Sequence, residues 1–147
     1  MEVVFSGKIV IVTGAAQGIG RVVASSFVRT GAKVALLDVN ESLLEEAKKE
    51  LRTEEHKILT YRVDVSSLSQ VKKAIEDALL KWGQVDILVN CAGVVSTKPF
   101  VECEEEEWDR VIAINLKGVV NTCKVVFPFM INRKYGKIVN IASIAGK

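Results

Sequence analysis

The sequence predicts an α/β fold: one open parallel sheet, doubly wound in the order 3-2-1-4-5, with helices on both faces. Three observations carry this expectation. Short, continuous apolar runs at Lys8–Val12, Lys33–Leu37, Ile58–Val63, Val85–Val89 and Ile138–Ile141 read as strands covered on both sides. Stretches with helical apolar spacing separate them, so each connection is a crossover, and right-handed crossovers give parallel neighbours. The run Thr13-Gly14-Ala15-Ala16-Gln17-Gly18-Ile19-Gly20 ends the first strand and opens the first helix. Backbone N–H groups and the positive helix end there make a cradle for an anion.

Each further element follows from local chemistry. Ile19, Val22, Val23, Ser26 and Phe27 recur at helical spacing, and Gly31 stops that helix. Asn40 caps a second helix with an inner face of Leu43, Leu44, Ala47 and Leu51. Ser67 with Gln70 resembles a capping box ahead of the stripe Val71, Ala74, Ile75, Ala78, Leu79 and Trp82, which Gly83 closes. A long helix over 104–130 is expected to bury Trp108, Ile112, Asn115, Val119, Cys123 and Val126 along one face. In the order 3-2-1-4-5 the first and fourth strands are neighbours at the switch point, where a ligand sits beyond their carboxyl ends. The glycine run lies at one of those ends and Asn90-Cys91-Ala92-Gly93 at the other.

Those loops hold the candidate binding residues. Gly14 suits the φ of a tight turn, Gly18 lets backbone approach a diphosphate, and Gly20 lets helix and strand pack closely. Asp38 ends the second strand, where a carboxylate accepts hydrogen bonds from both hydroxyls of an adenosine ribose and repels a 2′-phosphate. Neither Gln17 nor Val39 supplies a compensating positive charge, so NAD is favoured over NADP. A helix-capping aspartate is the alternative reading. Asp64, before Val65, is read either as a partner of the adenine amino group or as a simple turn aspartate. The cofactor-binding set is therefore Gly14, Gln17, Gly18, Ile19, Gly20, Asp38, Asp64, Val65, Asn90, Ala92 and Gly93. Asn115 is a polar residue on an apolar helix face and needs hydrogen-bond partners there, whether for structure or for function. Ser143 follows the fifth strand, with its hydroxyl expected in the same crevice.

Composition excludes several classes. The chain has 147 residues, 49% of them hydrophobic and 26% charged, which suits one domain with a real core. A net charge of +2 without a basic stripe gives no electrostatic case for nucleic acid. Cys91, Cys103 and Cys123 lack metal-ligand spacing, and with the single His56 they make no zinc site. The acidic run 102–107 is read as a solvated helix cap, and His56 as an exposed turn residue. Glu2 and the early first strand argue against a signal peptide, and the apolar run Val119–Ile131 is expected to be too short to span a membrane. The expected location is the cytoplasm.

Together, Thr13-Gly14-x-x-x-Gly18-Ile19-Gly20, Asp64, Asn90-x-Ala92-Gly93, Asn115 and Ser143 resemble the short-chain dehydrogenase/reductase family in order and spacing. The resemblance runs over essentially the whole chain, and Cys91 is the mild departure, where members often carry a second asparagine. It implies a Rossmann-like NAD(P)-binding domain over 1–147 and hydride transfer between a nicotinamide and a small-molecule alcohol or carbonyl. A 3-oxoacyl-carrier-protein reductase-like activity is one specific form, though such reductases commonly use NADPH. By resemblance Ser143 would stabilise charge on the substrate oxygen, and Asn115 would hold helix geometry and a relay water. The family's general acid/base is a tyrosine with a lysine four residues later, on the helix after the serine strand.

Here the tyrosines are Tyr61 and Tyr135, followed four residues on by Val65 and Val139. The chain is thus expected to be the amino-terminal part of a longer oxidoreductase, interrupted after the fifth strand. Without the positioned acid/base, which is worth about 10²–10⁴-fold in rate, turnover by this chain alone is expected to be negligible. The exposed long helix is expected to drive homo-oligomer formation. A non-catalytic dinucleotide-binding or regulatory protein is the rival reading.

Overall fold

A computed structural model describes residues 4–51 and 55–143. Five strands form one parallel sheet: β1 (Ile9–Thr13), β2 (Lys33–Asp38), β3 (Ile58–Arg62), β4 (Ile87–Asn90) and β5 (Lys137–Asn140), in the order β3-β2-β1-β4-β5. The expected order therefore holds, with strand ends shifted by one or two residues. Residues of β1 alternate between two cores. Val10 and Val12 pack with Val34, Leu36 and Val89 beneath helices α1 (Gly18–Arg29) and α2 (Glu41–Glu50). Ile11 packs with Ala35, Leu37 and Leu88 beneath α3 (Leu68–Trp82) and the carboxyl half of the long helix.

The helix faces depart from the expected ones in two places. In α1 the inward residues are Gly20, Ala24 and Val28, while Ile19 and Val22 are 62% and 64% exposed. Close packing of α1 on the sheet selects the stripe of small residues, against the larger apolar ones that the spacing singled out. The long helix is three segments: α4 (Glu105–Ile112), one π-helical turn (Ala113–Lys117) and α5 (Gly118–Arg133). Val126 is buried as expected, but Trp108 and Ile112 are exposed, and so is Asn115. The inserted π residue turns the α4 stripe away from the sheet that α5 covers. The composite helix of 29 residues holds an 18-residue window of mean hydropathy 1.3, so by length and composition it is long and apolar enough to cross a membrane, unlike the shorter run expected. Its inner side is nevertheless docked on the sheet through Thr122, Val126 and Met130.

Caps fix the helices locally. The Asn40 side chain accepts the Leu43 N–H at 3.1 Å, as expected. Ser67 Oγ accepts the Gln70 N–H at 3.5 Å, but Gln70 Oε1 accepts from Asp64 N–H at 2.9 Å instead of closing a capping box. At the amino-terminal edge of the sheet, buried Asp86 accepts from the Ile9 N–H at 2.8 Å and from two nitrogens of Arg133 at 3.2 Å each. It ties the end of α5 to β1.

Candidate functional site

β1 and β4 lie side by side, and their carboxyl ends open into one cleft of about 450 Å³. Thr13 builds the junction: its Oγ1 accepts from the N–H groups of Cys91 and Ala92, both at 3.1 Å. The loop after β4 is thereby fastened over the end of β1. Gly14 is wedged underneath with φ +63°, and a Cβ on it would lie 2.8 Å from Ala92 Cα. A Cβ on Gly20 would lie 2.1 Å from the Gly14 carbonyl oxygen, so α1 can start this close to the strand only with glycine there.

The start of α1 is open. Gln17 at the cap position has an extended backbone and makes no side-chain cap bond, and the first turn carries no acidic residue. Gly18 has φ +55° and nothing within 4 Å of where its Cβ would stand. A helix end with unsatisfied N–H groups and free space in front is a favourable place for an anion. In the same cleft, Asp38 Oδ2 accepts the Ala16 N–H at 3.2 Å and Oδ1 accepts the Asn40 N–H at 3.0 Å. Its carboxylate is thus held at the rim beside the glycine turn and also serves the helix-start role weighed for it.

Asp64 Oδ1 accepts from both the backbone N–H and the hydroxyl of Ser66, at 2.9 and 2.7 Å. It is a turn aspartate by its bonds, and it also lines the cleft. Val65 beside it is anchored through its carbonyl, which accepts from Asn121 Nδ2 at 2.8 Å. Of the eleven candidate binding residues, Gly14, Gln17, Gly18, Ile19, Gly20, Asp38, Asp64, Val65, Ala92 and Gly93 all line this one cleft.

Asn90 is placed differently. It is buried below the cleft, accepts from Thr122 Oγ1 at 2.8 Å and donates to Asn140 Oδ1 at 2.9 Å. That chain of polar groups joins α5, β4 and β5. Asn115 and Ser143 line an adjoining cavity of about 500 Å³, with Val94 on the wall of both spaces. Asn115 is exposed, contrary to expectation, yet both ends of its amide are used: it accepts the Val94 N–H and donates to the Val94 carbonyl, each at 2.8 Å. The expected partners exist, and they are the main chain of the loop after β4.

One other expectation changes. The acidic run is more than a solvated cap, because Glu107 accepts from Lys98 Nζ at 2.7 Å and Ser96 Oγ at 3.1 Å. Mutual pairing raises the Lys98 pKa and lowers that of Glu107. Among the described residues no cluster suits a metal ion. Residues 144–147, after Ser143, and Glu2 lie outside the described residues.

Neither tyrosine stands at the cleft. Burial, with help from its bond to Asp77 at 2.7 Å, raises the Tyr61 pKa, the wrong direction for a general base. Tyr135 lies at the amino end of β5 under Lys8 Nζ, 4.2 Å from the ring centroid. A larger hollow of about 1200 Å³ between β3 and α3 is walled by charged side chains such as Lys73 and Asp77. It meets the cleft only at Val39, Val63 and Asp64, and it has no glycine turn to hold a phosphate.

Sequence reasoning missed Thr13, Arg110 and Ile114. Thr13 was legible as a hydroxyl ending a buried strand, but nothing local marks the two α4-side residues that line the cleft from about 100 positions beyond the glycine turn. Burial also pushes the Cys91 thiol pKa up, so this cleft residue favours the inert protonated form.

Comparison with known proteins matches residues 8–147 to the short chain dehydrogenase family model. The 3-oxoacyl-(acyl-carrier-protein) reductase FabG of Thermotoga maritima is 39% identical over 140 residues, covering 95% of this chain and 57% of its own length. Sorbitol dehydrogenase of Cereibacter sphaeroides is 37% identical over 142 residues, covering 96% of this chain and 54% of its own. A crystal structure of NAD⁺-bound xylitol dehydrogenase superposes with TM-score 0.89 at 35% identity, over 97% of this chain and 55% of that one. The chain spans little more than half the length of these relatives.

Proposed function

The chain belongs to the short chain dehydrogenase family, and on that premise we propose that it is the coenzyme-binding part of an NAD-dependent oxidoreductase acting on a small alcohol or carbonyl compound. The observation that carries this reading is one cleft that brings together the open, uncapped start of α1 and the Asp38 carboxylate. The residues fit a dinucleotide. The empty space before Gly18 admits a diphosphate to the α1 amides, and Asp38 can accept from a ribose and repels a 2′-phosphate. When bound, the nicotinamide supplies hydride chemistry.

This chain's own residues then divide the work. Gly14 and Gly20 set the turn, Gly18 and Gln17 would hold the diphosphate, Ile19, Ala92 and Gly93 would line the coenzyme's path, and Asp64 and Val65 would hold the adenine end. Asn90 acts from below by fixing the end of β4. Ser143 donates to the substrate oxygen and stabilises negative charge developing there. Asn115 is a positioning residue, because its doubly bonded amide fixes the Val94 main chain between the two cavities.

Placement of Tyr61 and Tyr135 away from the cleft favours coenzyme binding without turnover for the 147 residues by themselves. Likeness to FabG supports a 3-oxoacyl-carrier-protein reductase-like substrate. The exposed stripe of Ile112, Leu116, Val120 and Ile131 supports self-association through the long helix, in the cytoplasm. Fluorescence titration tests the reading: NADH should bind at least about tenfold tighter than NADPH, a gap of about 1.4 kcal/mol. Tighter NADPH binding overturns the role of Asp38, no binding overturns the coenzyme reading, and brisk ketone-dependent NADH oxidation overturns the lack of turnover.

A further inference from the structure

The cavity beside the coenzyme cleft has a wall that no step above uses. Besides Asn115 and Ser143 it is lined by Val95, Phe100, Trp108 and Val111. Phe100 and Trp108 are in ring contact, with centroids 5.5 Å apart at an interplanar angle of 32°. Phe100 sits on the loop between β4 and α4 and is 76% exposed, a large aromatic presented at the cavity mouth.

The polar groups of this wall already satisfy one another. Lys98 Nζ lies 2.7 Å from Glu107, Ser96 donates to Glu107 at 3.1 Å, and Cys103 Sγ donates to the Lys98 carbonyl at 3.7 Å. Asn115 is occupied at both ends by Val94. Lys98 is therefore already paired, and an incoming carboxylate or phosphate would compete with Glu107 for it. A ligand hydroxyl set against the Phe100 and Trp108 rings would give up water there, whereas an apolar group would cover aromatic surface.

From this we propose that the cavity takes an uncharged apolar arm of the substrate, with Phe100 and Trp108 as the recognition surface, so that aryl or alkyl ketones and their alcohols are selected over polyols. The proposal rests on the reading of the neighbouring cleft as the coenzyme site, and it adds the substrate class.

Two tryptophans make the test internal to one sample. Trp108 lines the cavity, while the Trp82 indole donates to the His56 carbonyl at 3.3 Å on another part of the surface. In ¹⁵N-labelled chain, with and without NADH, benzylacetone should shift the Trp108 indole N–H signal saturably and leave that of Trp82 in place. Xylitol should move neither. Phe100→Ala, on an exposed turn, should weaken benzylacetone by about tenfold, and Trp108→Phe, read from the amide of Val95, should weaken it less. The proposal is overturned if xylitol moves Trp108 as tightly as benzylacetone, if benzylacetone leaves Trp108 unmoved, or if Phe100→Ala does not change its affinity. NADH binding is read separately by its own fluorescence. Loss of NADH binding with benzylacetone binding intact rejects the coenzyme reading alone, and NADH binding with an unmoved Trp108 rejects the apolar pocket alone.

Discussion

Gly18 and Gly20 are two positions apart, and substituting each by alanine should damage different properties. In Gly20→Ala the new methyl would lie 2.1 Å from the Gly14 carbonyl oxygen and 2.7 Å from its carbon. Gly14 cannot retreat, because it is itself packed against the Ala92 backbone. An overpacking penalty against main chain stands at the upper end of the usual range, about 3 kcal/mol. Alanine is better than glycine inside a helix by about 1 kcal/mol, which leaves a net loss of about 2 kcal/mol. For a domain of this size that lowers the melting temperature by about 6–8 °C.

Gly18→Ala meets no atom within 4 Å and bears only the strain of φ +55°, about 1 kcal/mol and about 3 °C. Its methyl would nevertheless fill the space proposed for the diphosphate, so NADH affinity should fall by about tenfold or more, at least about 1.4 kcal/mol. Circular-dichroism melts and NADH fluorescence titrations on both variants separate the two effects. A Gly20→Ala protein melting within about 2 °C of the parent would refute the packing analysis. Parent-like NADH binding by Gly18→Ala would remove the diphosphate from this turn.

Asp38→Ala should weaken NADH by about tenfold while NADPH gains, and the loss of the bonds from Ala16 and Asn40 should cost about 1–2 kcal/mol of stability, measured by titration and by urea unfolding. Asp86→Ala leaves the Ile9 N–H without its acceptor and Arg133 without its carboxylate partner, and should cost about 3 kcal/mol in urea, with little change in NADH binding. Tyr61 has its pKa raised on folding, so its contribution is fully present below the ordinary tyrosine pKa of about 10 and is lost as pH rises above it. Unfolding measured from pH 8 to 11 should show that decline, and Tyr61→Phe should flatten it; an unchanged slope would argue against the buried, Asp77-bonded Tyr61 hydroxyl as its source.

The sheet was legible because its central strands are nearly continuous runs of Val, Ile, Leu and Ala, the pattern of a doubly covered parallel sheet, whereas the edge strands β3 and β5 are only partly covered. Ten of the candidate binding residues share one cleft because the glycine turn and the loop after β4 are adjacent by topology alone. What the spacing misjudged were faces decided by contact. Ile19 and Val22 outweigh Gly20 and Ala24 in any apolar count, yet the small residues allow α1 to sit down. Asn115 looked buried because a regular helix would carry it inward, and nothing nearby in sequence announces the π turn or a partner at Val94, 21 positions away. Asn121 and Thr122, buried on the same helix, attracted no notice because their acceptors belong to distant loops and strands.

The π turn has a consequence for how recognition can change. One extra residue re-aims everything before it by about 100° about the rod while the part behind stays seated. Ala113–Lys117 thus works as a swivel: the floor keeps its grip through Val126 and Met130, while the rail carrying Trp108 answers to the loop in front of it. Mutations that retune that rail need not loosen the floor, so new preferences can be tried without risking the scaffold.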